Sequence, residues 1–552
     1  MNINPTHIKP LQINLSLWRV VLVLIVALLI SSSAYSSDYD VDGNGNDDAL
    51  TDGLIILRHQ FGLEGTSLIS DALAPDASVL SPKDIAHHIN ERTTAFDLDG
   101  NGDVDALTDG LLLMRYLFGL AGNKMTDGVI GSGATRDTSE EIIAHIDLVT
   151  DAAQLRRKSS KRGISYGTAG GQALLSISDL GALSGSIKWW YNWSVQANNT
   201  ISEAYPEYGY DFVPMTWGRN FKSTALKSFL DNHPNVKYLL GFNEPNFESQ
   251  ANMTPAEAAA EWPRIEAIAQ EYDLKLVGPA VNYSPGDVDI PGTDNDGDPW
   301  AYLDAFLEAC NGCQIDYIAV HGYMGTAGSF RSYIEKFERY NRPIWVTEWA
   351  AINAVDSQSQ MNYLANTVRW LEANDNVFRY SWFVARSRQG FGYAPFNDLL
   401  LDDGRLSPLG SIYKAIPSPA YRYQVGERIE SEGAHRLQNF SHDQAHEQVS
   451  DETVNLGAKI ISKNSSSLAE YDLNISSSGF YHLNFRAISE IGGNVKFSSD
   501  GEVLWSIDLS SGGWETLSSD ELYFQRGHQT LRIEAGRSVG LDWFNLSRDP
   551  IH

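Results

Sequence analysis

Two glutamates, Glu244 and Glu348, each close a strand-like run, KYLLGFNEPN (237–246) and RPIWVTEWA (342–350), about a hundred residues apart. Mostly apolar residues lead into each carboxylate: Leu239, Leu240 and Phe242 before the first, Ile344, Trp345 and Val346 before the second. Ending a buried strand on a charge is costly unless the charge stands at the mouth of a pocket. Two carboxylates brought face to face are the minimal equipment for cleaving a glycosidic bond, one as proton donor and one as nucleophile or base. For either glutamate alone, a structural ion pair at a strand end is the alternative.

Gathering the two requires a fold that collects strand ends. From Lys161 to about Pro417 strands and helices alternate. The expected strands are 162–167, 186–193, 210–218, 237–245, 275–281, 315–323, 343–350 and 377–385. Helical stretches such as 254–272 lie between them, with Pro255 suited to a first turn. Eight such pairs in roughly 255 residues fit a (β/α)8 TIM barrel, whose chemistry sits at the strand C-terminal ends. Polar and aromatic residues gather at those ends here: Trp193, Trp217, Asn243, Glu244, His321, Tyr323, Glu348 and Trp382. From about Tyr421 to Arg548 short β-like runs alternate with Gly/Ser turns, which predicts a β-sandwich.

Ahead of the barrel, DVDGNGNDDALTDGLIILRHQFGL (40–63) returns as DLDGNGDVDALTDGLLLMRYLFGL (97–120). Each copy is an acidic loop leading into an apolar helix. Side-chain oxygens alternate along the loops: Asp40, Asp42, Asn44, Asn46, Asp48 and Asp52, then Asp97, Asp99, Asn101, Asp103, Asp105 and Asp109. That spacing, with Gly45 or Gly102 at the tight turn, can wrap one hard cation in the manner of an EF-hand loop. A solvated acidic turn is the alternative. The copies resemble the calcium-binding loops of dockerin-type repeats in a slightly lengthened form. Thr51 or Thr108 stands at position twelve, and the acid follows one residue later. The resemblance implies structural Ca2+ and allows a cohesin-like partner.

The chain has 552 residues and a formal charge of −29, with 43% hydrophobic and 11% aromatic residues. The length predicts several domains and the composition a sizeable core. The charge argues against nucleic acid, which needs a basic surface. Arg19 followed by the apolar run Val20–Ile30 and Ala34-Tyr35-Ser36 reads as a signal peptide; the run falls short of the ~20 residues of a bilayer span. An uncleaved anchor is the alternative. The expected layout is a multidomain chain: leader 1–36, EF-hand-like helical repeats 37–122, linker 123–160, barrel 161–418 and sandwich 421–549. Such a protein is secreted or at the cell surface, free of the membrane after leader cleavage, and expected to be monomeric. Cys310 and Cys313, the two cysteines present, suit a small local disulfide or neighbouring thiols.

The barrel region resembles glycoside hydrolase family 128, endo-β-1,3-glucanases in the large clan of retaining (β/α)8 hydrolases. The motifs run in order: KRGISYG from 161, WWYNW (189–193), FVPMTWG (212–218), LLGFNEPN (239–246), QANMTPAEAA (250–259), VGPAV (277–281), CQIDYIAVHGY (313–323) and PIWVTEWA (343–350). The resemblance implies Glu244 as general acid/base, Glu348 as nucleophile, and Asn243 as partner of the sugar 2-hydroxyl. His321 and Tyr323 either position Glu348 or form a buried structural pair. Trp193, Trp217 and Trp349 either stack on sugar or belong to the core. The stretch SPGDVDIPGTDNDGDPW (284–300) is longer and more acidic than the family's usual loop; Asp294, Asp296 and Asp298 either hold a cation or are solvated. The C-terminal region resembles carbohydrate-binding module family 6, a jelly-roll sandwich, through RIESEG (428–433), SGFYHLNFRA (478–487), GGWETL (512–517), and GHQTLRIEAG with GLDWFNL (527–546). By that resemblance Glu430, Glu432 and Asp542 hold a structural calcium and Trp514 stacks on sugar. The expected function is hydrolysis of β-1,3-glucan with no catalytic cofactor. A clan relative acting on mannan, xylan or mixed-linkage glucan, and a non-catalytic glycan-binding scaffold, are the rivals.

Overall fold

Strongly apolar strands between capped helices build an eight-stranded parallel sheet. Its strands are β1 (Arg162–Ser165), β2 (Trp189–Tyr191), β3 (Asp211–Phe212), β4 (Tyr238–Leu240), β5 (Lys275–Val281), β6 (Tyr317–Met324), β7 (Ile344–Ala351) and β8 (Val377–Trp382). They belong to a computed structural model that describes the chain apart from residues 1–37, 44–46, 75–76, 78, 91–92, 121, 140, 144, 147–157, 167–176, 198–200, 203, 388–395, 403, 450–451, 476–477 and 549–552. The expected leader, and Asn44 and Asn46, lie outside the described residues. Among those described, no helix is long and apolar enough to cross a membrane. The described residues fall into two compact units that divide between Gln154 and Leu155.

In the second unit the strand order is β3-β2-β1-β8-β7-β6-β5-β4, so the first strand lies beside the last. Just past β3, Met215 makes a parallel bridge with Leu240 of β4. Two backbone bonds of 2.9 Å, Thr216 N–H to Leu240 and Leu240 N–H to Pro214, join these remaining edges. The sheet therefore curls, as eight twisted parallel strands do. Strand β7 is buried along its whole length, as a sheet covered on both faces requires. Alternate residues serve two cores: Trp189 and Tyr191 join Met215, Val277 and Trp345 inside the curl, while Trp190 joins the layer under the helices. Gly163 permits this packing, since a Cβ there would stand 2.3 Å from the Trp189 indole.

The helix Pro255–Glu271 starts on a capping box of Thr254 with Glu257 and has its proline in the first turn. Cys310 and Cys313 are joined in a disulfide, the first of the two expected states.

The same unit continues into two antiparallel sheets. One orders β12 (Phe440–Val449), β13 (Glu452–Ser462), β21 (Val539–Ser547), β15 (Gly479–Ser489) and β18 (Trp514–Ser518), with β10 (Ile429–Glu430) and β19 (Leu522–Phe524) alongside. The other orders β11 (Arg436–Gln438), β14 (Ser467–Ile475), β20 (Gly527–Ala535), β16 (Gly493–Ser499) and β17 (Glu502–Leu509), with β9 (Tyr423–Gln424) beside β14. Tyr471, Phe485, Phe497, Ile533 and Phe544 from both sheets share one core. This region is fastened to the curled sheet's helices. Arg369 donates to the carbonyls of Glu432 at 2.8 Å and Ala434 at 3.0 Å, and Asn362 accepts the His442 N–H at 2.9 Å.

In the first unit each acidic loop runs into a π-turn and a seven-residue helix, Leu54–Gln60 or Leu111–Leu117. Arginines at matching places hold the segment after each copy: Arg58 donates to the Leu68 and Ser70 carbonyls, Arg115 to those of Met125 and Asp127. Residues from 123 onward, read from sequence as linker, place Met125, Val129, Ile142 and Ile146 in this unit's core. Scattered apolar residues in a polar stretch are enough to bury it once a preformed helix offers a face.

Candidate active site

Glu244 and Glu348 meet at the C-terminal ends of β4 and β7. Pairing of β6 with β7 slips by one residue, so that Val320 faces Val346 but His321 faces Glu348. Such an irregularity re-aims side chains beside a site. Glu244 lies just past β4, its N–H on the Ala280 carbonyl at 2.9 Å, while the Asn243 N–H binds the Trp217 carbonyl at 2.8 Å. Glu244 has φ +40° and Trp193 φ +57°. This left-handed region costs such residues about 1–3 kcal/mol, and outliers of this kind cluster where a side chain must be aimed.

The two carboxylates have different company. Glu348 Oε2 accepts from Tyr323 at 2.6 Å, and its Oε1 accepts from Trp193 Nε1 at 2.7 Å and Tyr191 at 3.3 Å. Glu244 Oε1 lies 2.9 Å from His321 Nδ1 and accepts from Asn282 Nδ2 at 3.3 Å. His321 Nδ1 is also 3.4 Å from Glu348 Oε2. One oxygen of each glutamate and a ring nitrogen of His321 lie within 4.8 Å of one another. The three groups are metal-ligand types as well, but the 2.9 Å approach is a hydrogen bond. Asn282 is itself fixed: its Oδ1 accepts the Tyr283 N–H at 2.9 Å and its carbonyl accepts Asn246 Nδ2 at 2.6 Å. Asn243 Nδ2 donates to Gln250 Oε1 at 3.3 Å, and its buried Oδ1 has no partner among the described residues.

Burial raises the Glu348 carboxyl above the ordinary glutamate range; His321 pulls it down, Glu244 pushes it up, and the Tyr323 and Trp193 donors favour the ionised form. Burial alone lowers His321, but the two facing carboxylates outweigh it and the ring is raised overall. Burial and the Glu348 charge keep the Tyr191 hydroxyl protonated, hence a donor.

His321, Tyr323 and Trp193 thus converge on the carboxylates. Trp217, whose carbonyl takes the Asn243 N–H, is 36% exposed. Trp349 is a different case and corrects the expectation of sugar stacking. It is fully buried, with its ring 4.3 Å from that of Trp382 and 5.5 Å from Phe330. Its neighbour Glu348 points into the curl, so strand parity turns Trp349 toward the helices. Asn282, Gln250 and Phe383 were not singled out from sequence. Asn282 carries the signal of a polar residue directly after a buried strand. Phe383 packs edge-on against Trp193 and Tyr323, and nothing in its sequence context marks it.

Elsewhere, Asp40, Asp42 and Asp52 bring one oxygen each within 4.8 Å, and so do Asp97, Asp99 and Asp109. Oxygens bound to one calcium at about 2.3–2.6 Å can be no farther apart than about twice that, so both sets fit a single ion. The closing acids act alike. Asp52 accepts from the Asp42 and Asp48 N–H groups, Asp109 from those of Leu98 and Asp105. Burial and Asp42 push Asp52 up to about 8, and burial raises Asp109. Asp48, Asp103 and Asp105 lie outside these clusters: Asp105 instead caps the following turn, accepting from Leu107 and Thr108, and Asn101 accepts the Asp103 N–H.

Glu430, Glu432 and Asp542 do not converge in this way. Glu430 is drawn to Arg428 at 2.8 Å, and Asp542 lies 3.7 Å from Arg486. Burial and the Glu430 charge push the Glu432 carboxyl well above the ordinary glutamate range, and burial with the same charge raises Asp542 to about 6. The Arg486 guanidinium lies 5.1 Å over the Trp514 ring and occupies one of its faces.

Residues 163–413 match the profile of the family described as Glycosyl hydrolase catalytic core. The chain is 29% identical over 269 residues to Alkali-sensitive linkage protein 1 of Schizosaccharomyces pombe; that stretch is 46% of this chain and spans 44% of the relative's length. It is 37% identical to a solved GH128 subgroup II endo-β-1,3-glucanase of Sorangium cellulosum, covering 47% of this chain and 100% of that one, TM-score 0.42. A second, from Pseudomonas viridiflava, is 39% identical, with 47% and 98% covered and a TM-score of 0.41. By that matched profile, residues 163–413 are the part of this chain that is similar to glycosyl hydrolase catalytic cores.

Proposed function

We propose that the chain is a secreted, retaining endo-β-1,3-glucanase that hydrolyses laminarin- or curdlan-like chains by double displacement. The observation that carries the mechanism is the spacing of Glu244 and Glu348, with one oxygen of each within 4.8 Å. Retaining pairs stand about 5–5.5 Å apart, whereas inverting pairs leave about 6.5–9.5 Å for a water. Glu348, ringed by donors that favour its anion, attacks the anomeric carbon as the bond to the leaving oxygen breaks. Glu244 gives that oxygen its proton. Glu244 Oε1 accepts from Asn282 Nδ2 and lies 2.9 Å from His321 Nδ1, which holds the carboxyl in place. In the second half Glu244 takes a proton from water, and the hydroxide displaces Glu348. The motif string and the β-1,3-glucanase relatives support the linkage.

Incubating the mature protein with linear β-1,3-glucan, β-1,4-glucan, mannan and xylan tests the substrate. Short oligosaccharides should appear from β-1,3-glucan alone. Release from another glycan would move the specificity, and release from none would favour a binding scaffold.

The Tyr323→Phe variant tests the role of Glu348. Loss of the charge-assisted bond from Tyr323, which favours the ionised form, raises the carboxyl's pKa further. Catalysis needs that carboxyl ionised, so the acid limb of kcat/KM should move to higher pH. A limb that stays in place contradicts the assignment.

The two aspartate clusters are proposed as structural calcium sites, with a cohesin-like partner an open role for the repeats. Calcium at a hundred times its Kd stabilises each site by about 2.7 kcal/mol. EDTA should lower the melting of the first unit within the full chain, and excess calcium should restore it. Melting indifferent to both would end the calcium reading.

A further inference from the structure

We infer that Tyr283 is a platform on which a glucosyl unit next to the cleaved bond stacks. The inference rests on the glucanase reading and adds a residue to its substrate path. Tyr283 follows Asn282, whose amide donates to Glu244, and successive Cα atoms are about 3.8 Å apart. A ring at this place is within about one sugar of the acid/base. It is 41% exposed, yet it is not a loose surface side chain. Trp300 meets it edge-on at 5.3 Å and 85°, and Tyr333, itself 3% exposed, lies at 5.3 Å and 35°. These supports come from two different helices, Pro299–Cys310 and Ala327–Glu335. The Lys336 ammonium sits 4.4 Å over the Trp300 ring and the Tyr340 hydroxyl donates to the Trp300 carbonyl at 3.3 Å, which holds the support in turn.

The opposite flank of Glu244 also carries an exposed aromatic ring. There the exposed ring is Trp217, whose carbonyl takes the Asn243 N–H. Exposed aromatics after β3 and after β5 therefore bracket the end of β4. A β-linked glucose presents an apolar face of C–H bonds rimmed by hydroxyls, which suits a flat ring held rigid beforehand. A surface ring that merely roofs the acidic loop 284–298 is the competing account.

The test measures kcat, KM and melting temperature for the full chain and its Tyr283→Ala, Tyr283→Phe and Tyr283→Trp variants on linear β-1,3-gluco-oligosaccharides. The alanine variant should raise KM about tenfold, while the two aromatic variants stay near the parent. Should the alanine variant not fold, Tyr283→Ile keeps bulk without a flat face and must show the same rise. Unchanged KM in an active protein overturns the inference. So does a loss shared by Tyr283→Phe, or a fall in melting temperature without a change in KM. A parent protein inactive on β-1,3-glucan instead removes the glucanase reading, and the inference with it.

Discussion

Replacing Glu348 with glutamine is expected to abolish hydrolysis, a loss of at least ~10⁴-fold in kcat, while glucan still binds. The amide has the shape of the carboxylate but cannot form the glycosyl ester. It also keeps an oxygen to accept from Tyr323 or Trp193, so the fold should survive. Stability should hold or rise, because the native carboxyl is raised by burial. A carboxyl whose pKa is raised on folding costs stability above its ordinary pKa, and glutamine removes that cost at neutral pH. Oligosaccharide release and thermal melting measure the two effects. Activity within tenfold of the parent would remove Glu348 from the chemistry.

Replacing Glu244 should separate the two half-reactions. With Glu244→Ala, cleavage of glucan, which has a poor leaving group, should fall by ~10²–10⁴-fold. A dinitrophenyl β-glycoside needs no proton to leave, so its first step should persist as a burst followed by slow turnover. Azide needs no general base, so it should restore turnover and yield a β-glycosyl azide. Equal losses on both substrates with no azide effect would sink the acid/base assignment. Loss of the carboxylate also removes one of the two charges that raise His321. A raised histidine contributes stability that is present below its ordinary pKa and lost as pH rises through its folded value. The variant should therefore lose part of that stabilisation at mildly acidic pH.

Much of this site was legible because strand parity and strand ends are. Glu244 and Glu348 each close an apolar run, and His321 and Tyr323 are two apart on β6, hence on one face. The same rule, applied to the pair Glu348 and Trp349, separates the face that carries the two carboxylates from the core, whereas residue type alone suggested that both could meet sugar. Phe383 was not legible, and Asn282 was legible only as a polar residue after a buried strand, not as a partner of Glu244. Each is made significant by a partner far away in sequence, Glu244 for one and Trp193 with Tyr323 for the other. The slip that sets His321 opposite Glu348 is likewise a matter of pairing between strands. In the C-terminal region, turn spacing marks the strands, but which strand lies beside which depends on long-range partners such as β15 with β21. Charge pairing there is equally a matter of the folded chain, where Arg428 meets Glu430 at 2.8 Å.

The central claim is that Glu348 becomes covalently bound to sugar. A 2-deoxy-2-fluoro-laminaribioside with a good leaving group slows release of the intermediate enough to weigh it. The protein should gain the mass of one fluorinated disaccharide, and peptide mapping should place it on the peptide carrying Glu348. An adduct on any other residue, or rapid turnover to a product of inverted configuration with no adduct, would contradict the mechanism.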